Sequence, residues 1–354
     1  MMKHYHLKVK EVTPETPEAV TISFWHPLSE MIKYEAGQFL TLLLTINGEK
    51  VRRSYSMSSS PHTDTAPAVT IKRVPGGLVS NWLIDNIKAD DFIEVLEPTG
   101  HFVVKPDARN ARTVVLIGAG SGITPLMSIA KSVLKIEPDS RVVLLYGSRN
   151  EATVIFKQQL DNMAAQFGTR FVLKHSLSQP INGWEGATGR LNQTQILRLL
   201  EAIEDLNTAS AAYYLCGPDE MMNEAKRALE VLNVPTEQIH KESFATATTH
   251  HPVHEEGEDD ESLKAQEVTV IYEGSEYKFK VEPHQTILEA ALDLDIDLPY
   301  SCQAGMCTAC MGKCTSGKIQ LDEEDGLTKA ELAAGFILTC VAHPLTKDVI
   351  VEID

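Results

Sequence analysis

The sequence predicts a multidomain chain of three folded modules: an antiparallel β-barrel, a parallel α/β layer, and a small α+β module. Three observations carry this. Up to about residue 105 the chain reads as short strands rich in β-branched and aromatic residues. From Thr113 strands and helices alternate, as in a parallel sheet covered on both faces. The C-terminal quarter, beyond a polar acidic tract, holds five of the six cysteines. The length of 354 residues suits two or three cores better than one.

In the first module, residues 1–106, strands are expected at Leu7–Val12, Ala19–Phe24, Phe39–Ile46, Val69–Val74 and Asp91–Leu96, with one helix at Leu78–Ile87. Glu97-Pro98-Thr99-Gly100 reads as a turn. This is the pattern of a small antiparallel barrel. In the second, residues 107–244, strands are expected at Thr113–Ile117, Val142–Tyr146, Phe171–Ser176 and Ala212–Cys216. Helices are expected between them at Pro125–Leu134, Thr153–Phe167 and Gln193–Leu206, and after them at Glu220–Leu232. Residues 245–266 show neither period and few bulky apolar groups, and read as a flexible, charge-extended linker. The last module, 267–354, opens with strands Glu267–Tyr272 and Tyr277–Val281, continues with a helix at Ile287–Leu292, and closes with a strand at Val349–Ile353.

The net charge of -17 is uneven. Residues 245–266 carry six acids and one lysine, and residues 267–354 sixteen acids and six lysines, so the first 244 residues are nearly neutral. Nothing resembles the basic footprint of a nucleic-acid-binding protein. An acidic C-terminal surface fits docking to a basic partner, because complementary charge speeds encounter, or serves simply as a solvated face. No stretch approaches the roughly 20 apolar residues of a membrane span, and the opening MMKHYHLKVKEV alternates like a strand, so no stable membrane insertion and a cytoplasmic location are expected.

The cysteines are spaced Cys302-x4-Cys307-x2-Cys310, then twenty-nine residues, then Cys340. Two irons in a rhomb need four converging thiolates; a tight loop supplies three and a distant turn the fourth. This is the plant-type [2Fe–2S] spacing. Zinc is the rival, but its sites usually pair two C-x2-C units and only one exists here. Cys314, four residues after Cys310, is out of register and is assigned as a free thiol.

With these residues in view the C-terminal module resembles a plant-type ferredoxin, of β-grasp fold, and the rest resembles the ferredoxin–NADP reductase superfamily. The module order is similar to that of reductase subunits of the phenylacetyl-CoA epoxidase type. It is also similar to reductases serving fatty-acid desaturases and ring or steroid hydroxylases. The resemblance covers all but the linker. It implies FAD, a [2Fe–2S] cluster and NADPH or NADH as cofactors. An oxygenase or hydroxylase component is the implied electron acceptor, and a non-catalytic electron-carrier subunit is the alternative.

Carried over residue by residue, the resemblance assigns Arg53-Ser54-Tyr55-Ser56 as the flavin signature. An aromatic ring stacks on an isoalloxazine, a serine hydroxyl bonds its edge, and an arginine pairs with a pyrophosphate. Gly77, Leu78, Val79 and Ser80 open a helix, where backbone amides bind phosphate. Gly118-x-Gly120-x-Gly122-x-Thr124-Pro125 follows a strand and precedes a helix; it is not the G-x-G-x-x-G fingerprint but matches the superfamily's own nicotinamide pattern, with Thr124 near the flavin. Cys216-Gly217-Pro218 ends a strand at the edge where α/β sheets bind ligands, and the resemblance puts the cysteine beside the nicotinamide. Glu242 resembles the superfamily's closing carboxylate, and a surface carboxylate is the plain alternative. Ser148 and Arg149 follow the second parallel strand with no acid present, which favours a 2′-phosphate and hence NADPH; Arg149 also suits an adenine or an NADH pyrophosphate.

Overall fold

The computed structural model describes residues 3–28, 30–181, 183–244, 265–283, 285–300, 303, 305, 308–322, 324, 326–327 and 329–353. The expected linker, apart from its last two residues, and the expected ligands Cys302 and Cys307 lie outside them. The chain divides into two compact units, residues 2–98 with 102–244, and residues 99–101 with the segment from 245 on.

The first unit begins with β1 (His4–Thr16), β2 (Ala19–Phe24), β3 (Phe39–Ile46), β4 (Glu49–Ser56) and β5 (Ala68–Lys72), then α1 (Leu78–Asn86) and β6 (Phe92–Leu96). These strands form one antiparallel sheet in the order β4-β3-β6-β1-β2-β5. The Met57–Val69 bridge joins its two ends, which curls the sheet into a barrel. The two-residue side-chain period of a strand explains the inside. Along β3, Leu40, Leu42, Leu44 and Ile46 all join one core with Leu7, Ile22, Ile71 and Val95. Strand β4, with the sequence EKVRRSYS, escaped prediction because it is charged; its full-length register against β3 holds it in place. Strand β5 ends two residues earlier than expected, as the chain turns toward the N-terminus of α1.

The same unit continues with β7 (Thr113–Ala119), α2 (Ile123–Ile136), β8 (Arg141–Ser148), α3 (Lys157–Phe167), β9 (Phe171–Leu177) and β10 (Ala187–Thr188). It ends with α4 (Gln193–Glu201), β11 (Ala212–Cys216), α5 (Asp219–Val231) and β12 (Ile239–Glu242). The sheet is parallel, in the order β10-β9-β8-β7-β11-β12. Alternate residues serve two cores. Val114, Leu116, Val142, Leu144 and Tyr146 pack under residues of α2 and α3. Val115, Ile117, Val143, Leu145 and Leu215 pack on the other face against residues of α4 and α5. Helix α3 starts four residues later than expected, because Phe156 takes a left-handed conformation (φ 61°) that no helix continues through. Helix α4 stops at Glu201, short of the expected Leu206, and Asp205 is left-handed (φ 56°).

The barrel meets α2 along a serine seam. The Ser128 hydroxyl donates to the Ser59 carbonyl at 2.6 Å, and the Ser60 and Ser132 hydroxyls stand 2.7 Å apart.

The second unit comprises β13 (Gln266–Tyr272), β14 (Ser275–Val281), α6 (Ile287–Asp293), β15 (Met311–Ser316), β16 (Ile319–Leu321), α7 (Lys329–Ala333), β17 (Phe336–Leu338), β18 (Ala342–Pro344) and β19 (Val349–Ile353). Its main sheet runs β14-β13-β19-β15-β17, with β13 and β19 parallel, and β16 pairs with β18. Helix α6 starts at a reciprocal cap: the Glu289 amide donates to Thr286 Oγ1, and the Thr286 amide to Glu289 Oε2. Its buried residues Ile287, Leu288, Ala290 and Ala291 complete the core over Val268, Val270, Val349 and Val351.

Candidate functional site

In the α/β sheet β7 is the first strand; β8 lies on one side of it and β11 on the other. The strand order reverses between β7 and β11, and the C-terminal edge at such a switch is where open α/β sheets hold ligands. The predicted glycine turn and Cys216 meet there, with Gly118 and Cys216 in register. A Cβ on Gly122 would run into the Cys216 carbonyl, and one on Gly118 would come within 3.2 Å of it. Gly120 takes a left-handed φ of 57°. The glycines are therefore demanded twice, by the turn and by the closeness of β11. The Tyr146 hydroxyl donates to the Gly120 carbonyl at 2.9 Å and steadies the turn. Pro125 lies in the first turn of α2, where its missing N–H costs nothing. The buried Thr124 hydroxyl donates to the Ser121 carbonyl at 3.0 Å.

Cys216 is fully buried, and burial pushes its thiol well above the ordinary range, with the charge of Glu242 adding to the effect. It is a neutral thiol, shaped for contact rather than attack. Glu242 pairs with it across β11 and β12 and is only 7% exposed. The surface-carboxylate alternative for Glu242 is thereby overturned. Gly217 and Pro218 link Cys216 directly to α5.

Ser148 ends β8 and Arg149 follows it, exposed. His175 Nδ1 is shielded from solvent with no hydrogen-bond partner among the described residues. Buried polar atoms without partners are costly, and a bound ligand is one way to satisfy them. This end of the sheet fits a nucleotide.

On the barrel, Arg53, Ser54, Tyr55 and Ser56 form the second half of β4, opposite Leu42 to Phe39 of β3. Ser56 is buried and the other three are half-buried. Ser54 Oγ lies 3.2 Å from Thr41 Oγ1, and Arg53 Nη1 donates to the Arg52 carbonyl at 3.0 Å. Burial raises the Tyr55 phenol well above its usual range, against the opposing charge of Arg53, so it offers a neutral ring. Helix α1 begins at Leu78 with Gly77 as its N-cap and no side chain of that residue bonding the first-turn amides. Those amides of Leu78, Val79 and Ser80 form a cradle that suits a phosphate. Gly76 turns with φ 73°, and the Ser80 hydroxyl accepts from the Val74 amide at 3.1 Å.

Sequence reading missed Lys72. It ends β5, and its Nζ stands 3.6 Å from where a Cβ of Gly120 would be, so an ammonium overhangs the glycine turn. A lone lysine in an apolar strand carries no motif; only the approach of barrel to sheet reveals it. His175 was missed too: it lies in β9 beside Tyr146 of β8, and no local motif marks it.

In the second unit, the Cys310 and Cys340 sulfurs are buried and 3.3 Å apart although twenty-nine residues lie between them. That is far beyond a disulfide bond, and near the ~3.7 Å that two sulfurs on one tetrahedral ion adopt at bond lengths of ~2.3 Å. Thr339 locks them together: its amide and hydroxyl both donate to the Cys310 carbonyl, at 3.1 and 3.2 Å. Gln303 and Gly305 of the cysteine loop are left-handed (φ 55° and 67°). The donor set thus fits a thiolate-bound cluster at its two described members. The Cys314 thiol instead donates to the Ser316 carbonyl at 3.2 Å.

Comparison with known proteins agrees with this division. Residues 6–104 match the oxidoreductase FAD-binding domain, 116–227 the oxidoreductase NAD-binding domain, and 270–345 the 2Fe-2S iron-sulfur cluster binding domain. The chain is 34% identical to a subunit of the 1,2-phenylacetyl-CoA epoxidase from Escherichia coli (strain K12), over 100% of this chain and 99% of that protein. It is 35% identical to the ferredoxin reductase component of 3-ketosteroid-9-alpha-monooxygenase from Rhodococcus rhodochrous, over 98% of this chain and 96% of that protein. Phthalate dioxygenase reductase shares the fold, with a TM-score of 0.61 at 20% identity, over 99% of this chain and 98% of that one. Among the described residues no helix is long and apolar enough to cross a membrane. The chain belongs to the NAD(P)H-dependent reductase components of oxygenases, which join FAD-binding, NAD-binding and 2Fe-2S domains in one polypeptide.

Proposed function

We propose that this reductase draws on NADPH and serves a phenylacetyl-CoA-epoxidase type of oxygenase, with the modules divided at 1–106, 107–244, 245–266 and 267–354. The observation that carries the partner is the match to the Escherichia coli epoxidase protein along the whole chain. FAD supplies the conversion of a two-electron hydride into single electrons for the cluster. The chain's own residues bind and orient. In this reading Tyr55 flanks the flavin ring, Ser54 and Ser56 bond its edge, and Arg53 with the α1 amides holds the pyrophosphate. The glycine turn, with Lys72 above it, carries the dinucleotide backbone. Cys216 and Thr124 narrow the space in which a nicotinamide stacks, and Glu242 sets the polarity beneath it. Cys302, Cys307, Cys310 and Cys340 hold the cluster. Cytoplasmic residence follows from this reading, because thiolates stay reduced there and reduced nicotinamide is available.

The NADPH preference is supported by the exposed Arg149 at the ribose end of β8 and the lack of a carboxylate beside it. Arg149→Ala is expected to raise KM for NADPH at least tenfold, about the 1.4 kcal/mol of one charge-assisted contact, while KM for NADH changes little. Equal losses with both cofactors would refute the preference. A steroid monooxygenase is the second candidate partner, favoured by the equally long match to the Rhodococcus rhodochrous component. Co-purification from native cells, followed by reconstituted turnover with each oxygenase, separates the two.

A further inference from the structure

Beneath Cys216 and Glu242 in the sheet lies an aromatic pair, Tyr214 and His240. Residues two apart in a strand share a face, and β11 and β12 run in register, so Tyr214 faces His240 as Cys216 faces Glu242. Tyr214 is 4% exposed and belongs to the same core as Cys216, with residues of α2. The Tyr214 and His240 rings are stacked, with centroids 4.7 Å apart and planes 26° from parallel. Burial, and after it the charge of Arg112, hold the His240 imidazole below its usual range, so at neutral pH it stacks as an uncharged ring.

Strand β12 needs such an anchor. It is the edge strand of the sheet, four residues long, and pairs with β11. Glu242 is its last residue. Paired strands twist readily about one another, and a flat ring pressed on Tyr214 two residues earlier resists that twist.

Tyr214 also reaches the barrel. Phe102 meets its ring edge-on, at 5.4 Å and 77°, and the Tyr214 hydroxyl donates to the Val103 carbonyl at 3.3 Å. The next residue, Val104, is bridged to Ala36, its amide donating to the Ala36 carbonyl at 3.1 Å. A Cβ on Gly37 would run into the Phe102 carbonyl, so the two segments lie flush. Strand β3 starts two residues beyond Gly37 and pairs along its length with β4, which carries Arg53 to Ser56. Packed rings and backbone bonds thus run unbroken from the row under Cys216 and Glu242 to the strand of the flavin signature.

We propose that the Tyr214–His240 stack is a positioning element for hydride transfer, holding Cys216 and Glu242 at a set height and tilt toward the barrel. This rests on the reading that puts Cys216 beside the nicotinamide. His240 touches no cofactor in that reading and acts through the two residues above it. Hydride transfer depends steeply on geometry, and a misplacement of 1 Å can cost about 10²-fold in rate. The contacts that set nucleotide affinity lie elsewhere, at the glycine turn and the end of β8. The stack therefore governs rate rather than affinity.

The test is stopped-flow reduction by NADPH of the full chain loaded with FAD and cluster. His240→Ala is expected to slow the limiting rate of flavin reduction at least ~10-fold, with little change in the apparent Kd for NADPH. His240→Phe keeps a flat ring on Tyr214 and should restore the rate. His240→Leu keeps bulk without the ring and should behave like the alanine variant, which it replaces if that one loses FAD. A second readout needs no turnover: the S–H stretching band of Cys216, identified by its loss in Cys216→Ala. That band should shift in His240→Ala and His240→Leu and stay in place in His240→Phe. An unmoved band or an undiminished rate in the alanine and leucine variants would overturn the proposal, as would an equal loss in His240→Phe or a loss carried by Kd. Full hydride transfer by Cys216→Ala would instead overturn the nicotinamide role of Cys216, and the S–H band would still decide whether the stack places it.

Discussion

Gly122 shows how little room single residues have at the nucleotide end of the sheet. Any side chain there would press on the Cys216 carbonyl, which is backbone and cannot swing aside. Gly122→Ala is expected to cost about 1–3 kcal/mol, the usual penalty of overpacking. It should also weaken NAD(P)H binding more than FAD retention, since the displaced atoms belong to β11 and the glycine turn. Chemical denaturation and nucleotide titration of the same sample check both parts. The motif was legible because glycine, unlike other residues, advertises a backbone need. Burial keeps the Cys216 thiol neutral and the Glu242 charge adds to it; neither was legible, because Glu242 lies twenty-six residues away and becomes adjacent only when β12 pairs with β11.

Elements owe their positions to a few interior anchors, and the C-terminus of α2 has one. The Glu137 carboxylate, fully buried, accepts from Arg112 Nε at 3.1 Å and Nη2 at 2.8 Å, from Asn110 Nδ2 at 2.8 Å, and from the Ser140 hydroxyl at 2.7 Å. It thereby ties α2 to the approach of β7. Burial opposes the charge, but the bonds from Arg112, Asn110 and Ser140 outweigh it and hold the carboxyl below its usual range. The sign follows from linkage: stability contributed by Glu137 is present above the unfolded carboxylate pKa near 4.5 and is lost as pH falls toward the lower folded value. Glu137→Ala is expected to cost about 3–5 kcal/mol at neutral pH by leaving Arg112 without its partner. The difference from wild type should shrink in acid, as thermal melts from neutral pH downward would show. At this scale, strands Ala19–Phe24, Phe39–Ile46, Ala212–Cys216 and Val349–Ile353 matched their sequence expectation to the residue. They are apolar runs bounded by turns. Strands β4, β10, β12 and β15 to β18 were not foreseen: they are short or polar, and pairing with a neighbouring strand holds them rather than a hydrophobic period, by a hairpin to β3 in the case of β4.

The whole molecule has separate cores in its two units, and all four expected cluster ligands lie in the second. A fragment ending at Phe244 is expected to bind FAD and reduce ferricyanide with NADPH, yet lose cytochrome c reduction. A fragment starting at Ala265 should fold and take up iron and acid-labile sulfide in equal amounts. A cluster-free or unfolded C-terminal fragment would contradict the independence of that core. Chemistry on this scale was written locally. The cysteine spacing, the glycine turn and the R-x-Y-S strand are each short stretches of chain, so the resemblance that gives the cofactor set and the module order could be read in the sequence alone. Tertiary structure decided what surrounds those stretches: a buried Glu242 under a neutral Cys216, Lys72 over the glycine turn, and Cys310 brought to Cys340. These depend on strand order and burial. Both arise from contacts between residues far apart in the chain, and no local period records them.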